Sequence, residues 1–148
     1  MMKASNMGIR MIEQFEACKL RAYRDLRNIP TIGYGHTRNV KMSDTCTQAQ
    51  ADRWLHDDVA IAEAAINHLV KVPLTQQQFD ALTSLIFNIG SGAFAGSSIL
   101  KRINAGDFKG AAALFGAWNH VKGVVSADLT RRRASEAALF LSTETTAA

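Results

Sequence analysis

Residues 75–89, TQQQFDALTSLIFNI, restrict the fold more than any other part of the chain. They open on a capping box, Thr75 with Gln78, and then carry Phe79, Leu82, Leu85, Ile86 and Ile89 on most sides of one helix. A helix with almost no polar face has to lie at the centre of the molecule, with other elements packed round it. Gly90 and Gly92 come next, and glycine can end such a helix in left-handed conformation. At 148 residues the chain has the length of one ordinary domain, so a single core is built round this helix.

The flanking segments supply the packing elements. Ile9, Ile12 and Phe15 follow the capping candidates Ser5 and Asn6 and read as a short helix ending near Glu16. Between Leu20 and His36 the pattern changes, with Tyr23, Ile29, Ile32 and Tyr34 set among Asp25, Asn28, Pro30, Gly33 and Gly35. β-prone residues among turn formers predict a hairpin, the only sheet expected. Thr47 with Gln50 forms a second capping box, after which Ala51, Trp54, Leu55, Asp58, Val59, Ala62, Ile66 and Leu69 recur at helical spacing up to Pro73. Ser97 or Ser98 caps a helix that stops at Gly106, and Asp107 caps one running from Phe108 toward Trp118. A last helix, with Asp128 as its cap, carries Leu129, Ala134, Ala137 and Leu141. Trp54 and Trp118 are read as core residues, and Arg131, Arg132 and Arg133 as the solvated face of the last helix, at least two of them facing water.

Helix, small sheet and then a run of helices is an α+β order. Hydrophobic residues at 47% and charged residues at 20% fit a folded, soluble domain. The formal charge of +4 favours anionic polymers without naming one. The N-terminus has no apolar run of signal-peptide length, so the chain is expected in the cytoplasm, where Cys18 and Cys46 stay reduced rather than paired. No His or Cys stands at ligand spacing from His36, so no metal site is expected.

Glycosidic cleavage takes one carboxyl group that arrives protonated and a second that activates water or attacks carbon. Glu16 at a helix end and Asp25 in the hairpin, with Thr31 beyond it, answer that demand. A threonine hydroxyl both donates and accepts, so it can orient water beside a carboxylate. Asp25 also suits a tight turn, and Thr31 a plain strand.

Residues 16–37, EACKLRAYRDLRNIPTIGYGHT, resemble the active-site signature of the phage-type lysozymes: Glu, eight residues, Asp, five residues, Thr, then I-G-x-G-H. VPLTQQQFDALTSLIFNIGSGAFAGSSIL, INAGDF and RRRASEAALF are similar to later parts of the same family, so the resemblance covers almost the whole chain. Two departures stand out: Ala17, where the family usually has glycine after its catalytic Glu, and Asp128, near a position where it often has one.

The resemblance implies a lysozyme-like fold of two lobes, a hairpin lobe and a larger helical lobe, joined by the helix of residues 47–69. It makes residues 1–142 one catalytic domain, and residues 143–148, small and polar, are expected to form a disordered tail. It implies a muramidase that cleaves the β-1,4 bond between N-acetylmuramic acid and N-acetylglucosamine without a cofactor, with Glu16 as acid and Asp25 and Thr31 holding the attacking water. His36 is expected to order the hairpin through a hydrogen bond to a carboxylate, and Arg132 is one of the arginines that can reach Glu16. A monomer is expected, retained in the host cytoplasm until a phage holin releases it, with no nucleic acid as partner. Two other readings stand beside this one: a lytic transglycosylase, which has no use for a water-holding pair, and a membrane-active protein whose basic last helix meets an anionic outer membrane.

Overall fold

The computed structural model describes residues 1–142, and the expected tail at 143–148 lies outside the described residues. The fold is α+β in two lobes, and the apolar helix takes the central place. This helix, α3 (Gln76–Ile89), buries eight consecutive residues from Phe79 to Ile86. Helices α1 (Asn6–Glu16), α2 (Gln48–Leu69) and α7 (Ala127–Leu141) all pack against it. The main core gathers Phe79, Leu82, Phe94, Phe115 and Phe140. A smaller cluster of Ile12, Leu55 and Val59 joins α1 to α2. Both capping threonines work, Thr47 accepting from Gln50 N and Thr75 forming the full reciprocal box with Gln78.

Buried Asp80 ties the start of α1 to α3. It accepts from Ser5 N at 2.9 Å, from Ser5 Oγ, and from Gln76 Nε2 at 2.9 Å. Removing any one donor would leave a buried carboxylate short of partners, which is why such a charge is found only in a satisfied cage.

The smaller lobe is the antiparallel pair β1 (Lys19–Arg24) and β2 (Pro30–Gly33), with Tyr23 opposite Thr31 and a bulge between Lys19 and Tyr23. Thr45 bridges to Arg21 on the other side of β1. Helix α2, of 22 residues, spans about 33 Å and carries the chain from this lobe to the helical one.

Several expectations are corrected. The hairpin is not the only sheet: β3 (His120–Val121) and β4 (Val124–Val125) form a second antiparallel pair. Its two-residue loop, Lys122–Gly123, has both φ values positive, 50° and 80°, the conformation that two-residue hairpins require. The helix expected to run toward Trp118 is therefore shorter, α6 (Phe108–Ala113) followed by a 3-10 turn at Phe115–Ala117. Gly90 ends α3 at φ 94°, but Gly92 lies inside a further short helix, α4 (Ser91–Ala95), which leads to α5 (Ser98–Asn104) with Ser97 as its cap. Ser126, not Asp128, caps α7 by accepting from Leu129 N, which leaves Asp128 in the first turn to pair with Arg131. Trp54 and Trp118 are both half-buried rather than core residues: Trp118 packs against the main core, and Trp54 stacks on His36 outside both clusters.

Candidate active site

Glu16 is the last residue of α1, and the direction of its carboxyl is set by the way the helix ends. Ala17 leaves the helix at φ 53°, ψ 155°, and its N–H still closes on Glu13 O. The chain then doubles back into β1, so the Glu16 side chain projects between the two lobes. A tight turn meets it from the hairpin side, where Ile32 and His36 exchange backbone hydrogen bonds of 2.9 Å in both directions. Gly35 lies in that turn at φ 68°, and a Cβ there would stand 3.0 Å from Glu16 Cδ and closer still to its Oε1. Only glycine lets this backbone lie against the carboxyl.

From the helical side comes Arg132 of α7, which is 4% exposed. Its Nη1 donates to Glu16 Oε2 at 2.5 Å, its Nη2 to Ser84 O at 3.1 Å and its Nε to Glu136 Oε2 at 3.1 Å, while the guanidinium lies over the Phe15 ring. Glu136 is wholly buried and also accepts from Ser84 Oγ at 2.5 Å and pairs with Arg133 Nε at 2.7 Å. Burial pushes its carboxyl above the ordinary range, against the pull of Arg133 and Arg132. Burial likewise lowers Arg133 to about 10, with Glu136 opposing. The arginine run is thus not a solvated face. Arg133 is 1% exposed, and of the three only Arg131 faces water. A guanidinium is buried when carboxylates surround it, and the partners here lie on other turns and other helices.

Asp25 and Glu16 line one cavity of about 540 Å³, with Tyr23, Leu26, Val121 and Leu129 among its other walls. The Tyr23 phenol is pushed up by burial and then by the charges of Glu16 and Asp25, both of which it faces. Asp25 also serves its own turn: Oδ1 accepts from Arg27 N at 2.8 Å and Ile29 N at 2.9 Å. Its Oδ2 has no partner among the described residues and is free to accept from water. Thr31 is placed differently. It is 2% exposed, outside the walls of the cavity, and its Oγ1 donates to Ile29 O at 2.8 Å. With the hydroxyl proton engaged, Oγ1 presents only lone pairs to any neighbour.

His36 is buried, its Nδ1 2.8 Å from Asp58 Oδ2 on α2, with its ring stacked on Trp54 at 4.6 Å and 2°. Arg38 closes the group by donating to Asp58 Oδ1 at 2.7 Å. Beside the same turn, Gly35, Thr37 and Asp58 face Phe87 and Gly90 across a second cavity of about 180 Å³. Among the described residues no group of three or more His, Cys, Asp or Glu could hold a metal ion. Cys18 and Cys46 are both free thiols, and burial pushes Cys46 up.

Sequence reasoning missed Glu136, Ser84 and the partnership of Asp58. Signals for two of them were present. Glu136 stands four and three residues after Arg132 and Arg133, the spacing of ion pairs on one helix face, and Asp58 is a charge on the otherwise apolar stripe of α2.

Comparison with known proteins gives this geometry a family. Residues 13–136 match the family described as Phage lysozyme. The endolysin of Salmonella phage P22 is 44% identical over 147 residues, covering 96% of this chain and all of that protein. An endolysin of Acyrthosiphon pisum secondary endosymbiont phage 1 is 43% identical over 94% of this chain and 98% of its own. Among solved structures, the muramidase domain of SpmX from Asticaccaulis excentricus superposes with a TM-score of 0.87 at 40% identity, covering 97% of this chain and all of that one. With a family match over most of its length and relatives matched almost end to end, the chain belongs to the phage lysozyme family.

Proposed function

We propose that this lysozyme cleaves the β-1,4 bond between N-acetylmuramic acid and N-acetylglucosamine in peptidoglycan with inversion, using residues 1–142 as one catalytic unit. Glu16 protonates the leaving oxygen. Asp25 Oδ2 and Thr31 Oγ1 hold the water that attacks the anomeric carbon, and the Asp25 carboxylate takes the proton this water gives up as the new C–O bond forms. The observation that carries this reading is the shared cavity: two carboxylates from different elements, Glu16 and Asp25, face one space, and among the described residues one oxygen of Asp25 is left without a partner. Thr31 enters through its place in the signature: it is buried and outside the cavity walls, and its engaged proton leaves lone pairs on Oγ1 for a water reaching it from Asp25. A nucleophilic water has to donate both of its hydrogens so that a lone pair points at carbon, and two acceptors suit that need.

Glu16→Gln keeps the shape but has no proton to give, so hydrolysis of permeabilised cells should fall at least ~100-fold. Product analysis tests the water. The first-formed product should be the α-anomer by proton NMR. A β product would demand a covalent intermediate on Asp25, and an anhydro product would demand attack by the substrate's own hydroxyl. The same reading stores a monomeric enzyme in the host cytoplasm and assigns access to the wall to a separate holin. No helix among the described residues is long and apolar enough to cross a membrane. Expression of this chain alone should leave cells intact until the membrane is permeabilised, and prompt lysis on induction would remove the holin from the account.

A further inference from the structure

The pairing of Arg132 with Glu16 poses a chemical difficulty for the acid role. A guanidinium in contact with a carboxyl group favours its charged form, whereas a general acid has to arrive protonated. The structure holds a counterweight on the other edge of the same guanidinium. Glu136, wholly buried, takes Arg132 Nε at 3.1 Å while Nη1 is directed to Glu16. Around the pair, α7 supplies Arg132, Arg133 and Glu136, and Arg131 stands at the cavity rim. On β1 and its turn Tyr23 and Asp25 face Glu16, with Arg24 and Arg27 lining the same cavity and Asp128 of α7 lining it too, while α1 contributes the neutral Phe15 ring and α3 the neutral Ser84 and Asn88. As seen from Glu16, buried Arg132 and Arg133 supply two positive charges and buried Glu136 one negative, so its surroundings carry one excess cation with Glu136 charged and two without it.

We propose that Glu136 is a positioning residue for the reaction: it fixes Arg132 by its Nε edge and offsets one of the two buried cations, so that Arg132 can orient Glu16 with a weaker pull toward its ionised form. This rests on the reading of Glu16 as the acid. Glu136→Gln is nearly isosteric and leaves an amide oxygen for Arg132, but removes the charge. The second excess cation should then draw Glu16 further to its ionised form, moving the alkaline limb of the kcat–pH profile to lower pH. A unit charge on the order of 7 Å away at an effective dielectric of about 20–40 corresponds to a shift of roughly 1–2 pH units. Arg133→Gln removes a cation from the same group, and its alkaline limb should move the other way. The double variant restores the balance and should return the limb to its wild-type position, as should Glu136→Asp, which keeps the charge.

Profiles are to be measured on purified peptidoglycan with variants that retain the native circular dichroism spectrum. A merely structural Glu136 would lower kcat or thermal stability in all of these variants and leave the limb where it is, and that result overturns the proposal. Should Glu136→Gln fail to fold, Arg133→Gln and the charge-balanced double variant still give opposed expectations, an upward shift and none. Failure of the underlying reading looks different. An active Glu16→Gln removes the acid from Glu16, whereas an inactive Glu16→Gln with unmoved limbs in the other variants sinks the role of Glu136 alone.

Discussion

Ala17 is an L-residue in a conformation that belongs to glycine, and Ala17→Gly measures what that conformation costs. Its φ of 53° with ψ of 155° lies beside the region that only glycine populates freely, where a side chain costs about 1–3 kcal/mol. Replacement by glycine removes this strain and adds backbone freedom to the unfolded chain, which costs about 0.4–1 kcal/mol in return. Ala17 is exposed, so its methyl group contributes little buried area. The balance is a stabilisation of about 0.5–2 kcal/mol. In a domain of this size one kcal/mol moves Tm by roughly 2–4 °C, so Ala17→Gly should melt about 1–8 °C higher by circular dichroism or calorimetry. An unchanged or lower Tm would refute the assignment of strain to this joint. Ala17→Val makes the opposite test, because a β-branched residue is worse than alanine at positive φ and should melt lower than the parent.

Gly35→Ala places a methyl group against the Glu16 carboxyl at φ 68°, so activity should fall on the order of 10²-fold, as for a catalytic group displaced by about 1 Å, and Tm should fall with it. Wild-type kinetics in that variant would mean the turn does not fix Glu16. The Asp107 carboxylate is held below its usual 3.8 chiefly by the Gly110 N–H, and next by Arg102. A lowered folded value stabilises the fold above pH 3.8 and ceases to as pH falls through that lower value. Asp107→Asn should therefore melt below wild type near neutral pH, and the two melting curves should converge on acidification. Protein purified without reductant and then denatured should titrate two thiols, Cys18 and Cys46, and a monomer lighter by two hydrogens would contradict their free state.

Helices α1, α2 and α3 were legible because each combines a side-chain cap with a long apolar pattern, two local signals that agree. The hairpin β3–β4 was not. Its strands have two residues each, too short for alternation to register, and its loop is Lys122–Gly123, where only the glycine advertises a positive φ. The cap of α7 was misplaced by two residues because Ser126 and Asp128 are equally good caps by type. The departure at Ala17 was visible as a change of residue, but its meaning needed the backbone angle that α1 adopts at its end.

The site divides along the same line. Glu16, Asp25 and Thr31 fall within 16 positions of sequence, so a fixed spacing could expose them. Arg132 meets Glu16 across 116 positions, and no local pattern reports such a contact. Charge type alone led toward solvent for the three arginines, yet Arg132 and Arg133 lie in the interior because two carboxylates and a serine meet them there. That displacement also changes where the basic excess resides. Residues 18–46 of the hairpin lobe hold six Lys and Arg against two acids, a surplus of four, and the other residues balance at eleven of each. The whole net charge of +4 thus belongs to the lobe that carries Asp25. On α7, by contrast, Arg132 and Arg133 are paired in the interior, and Arg131 is the one arginine of the three that stays at the surface, beside Asp128.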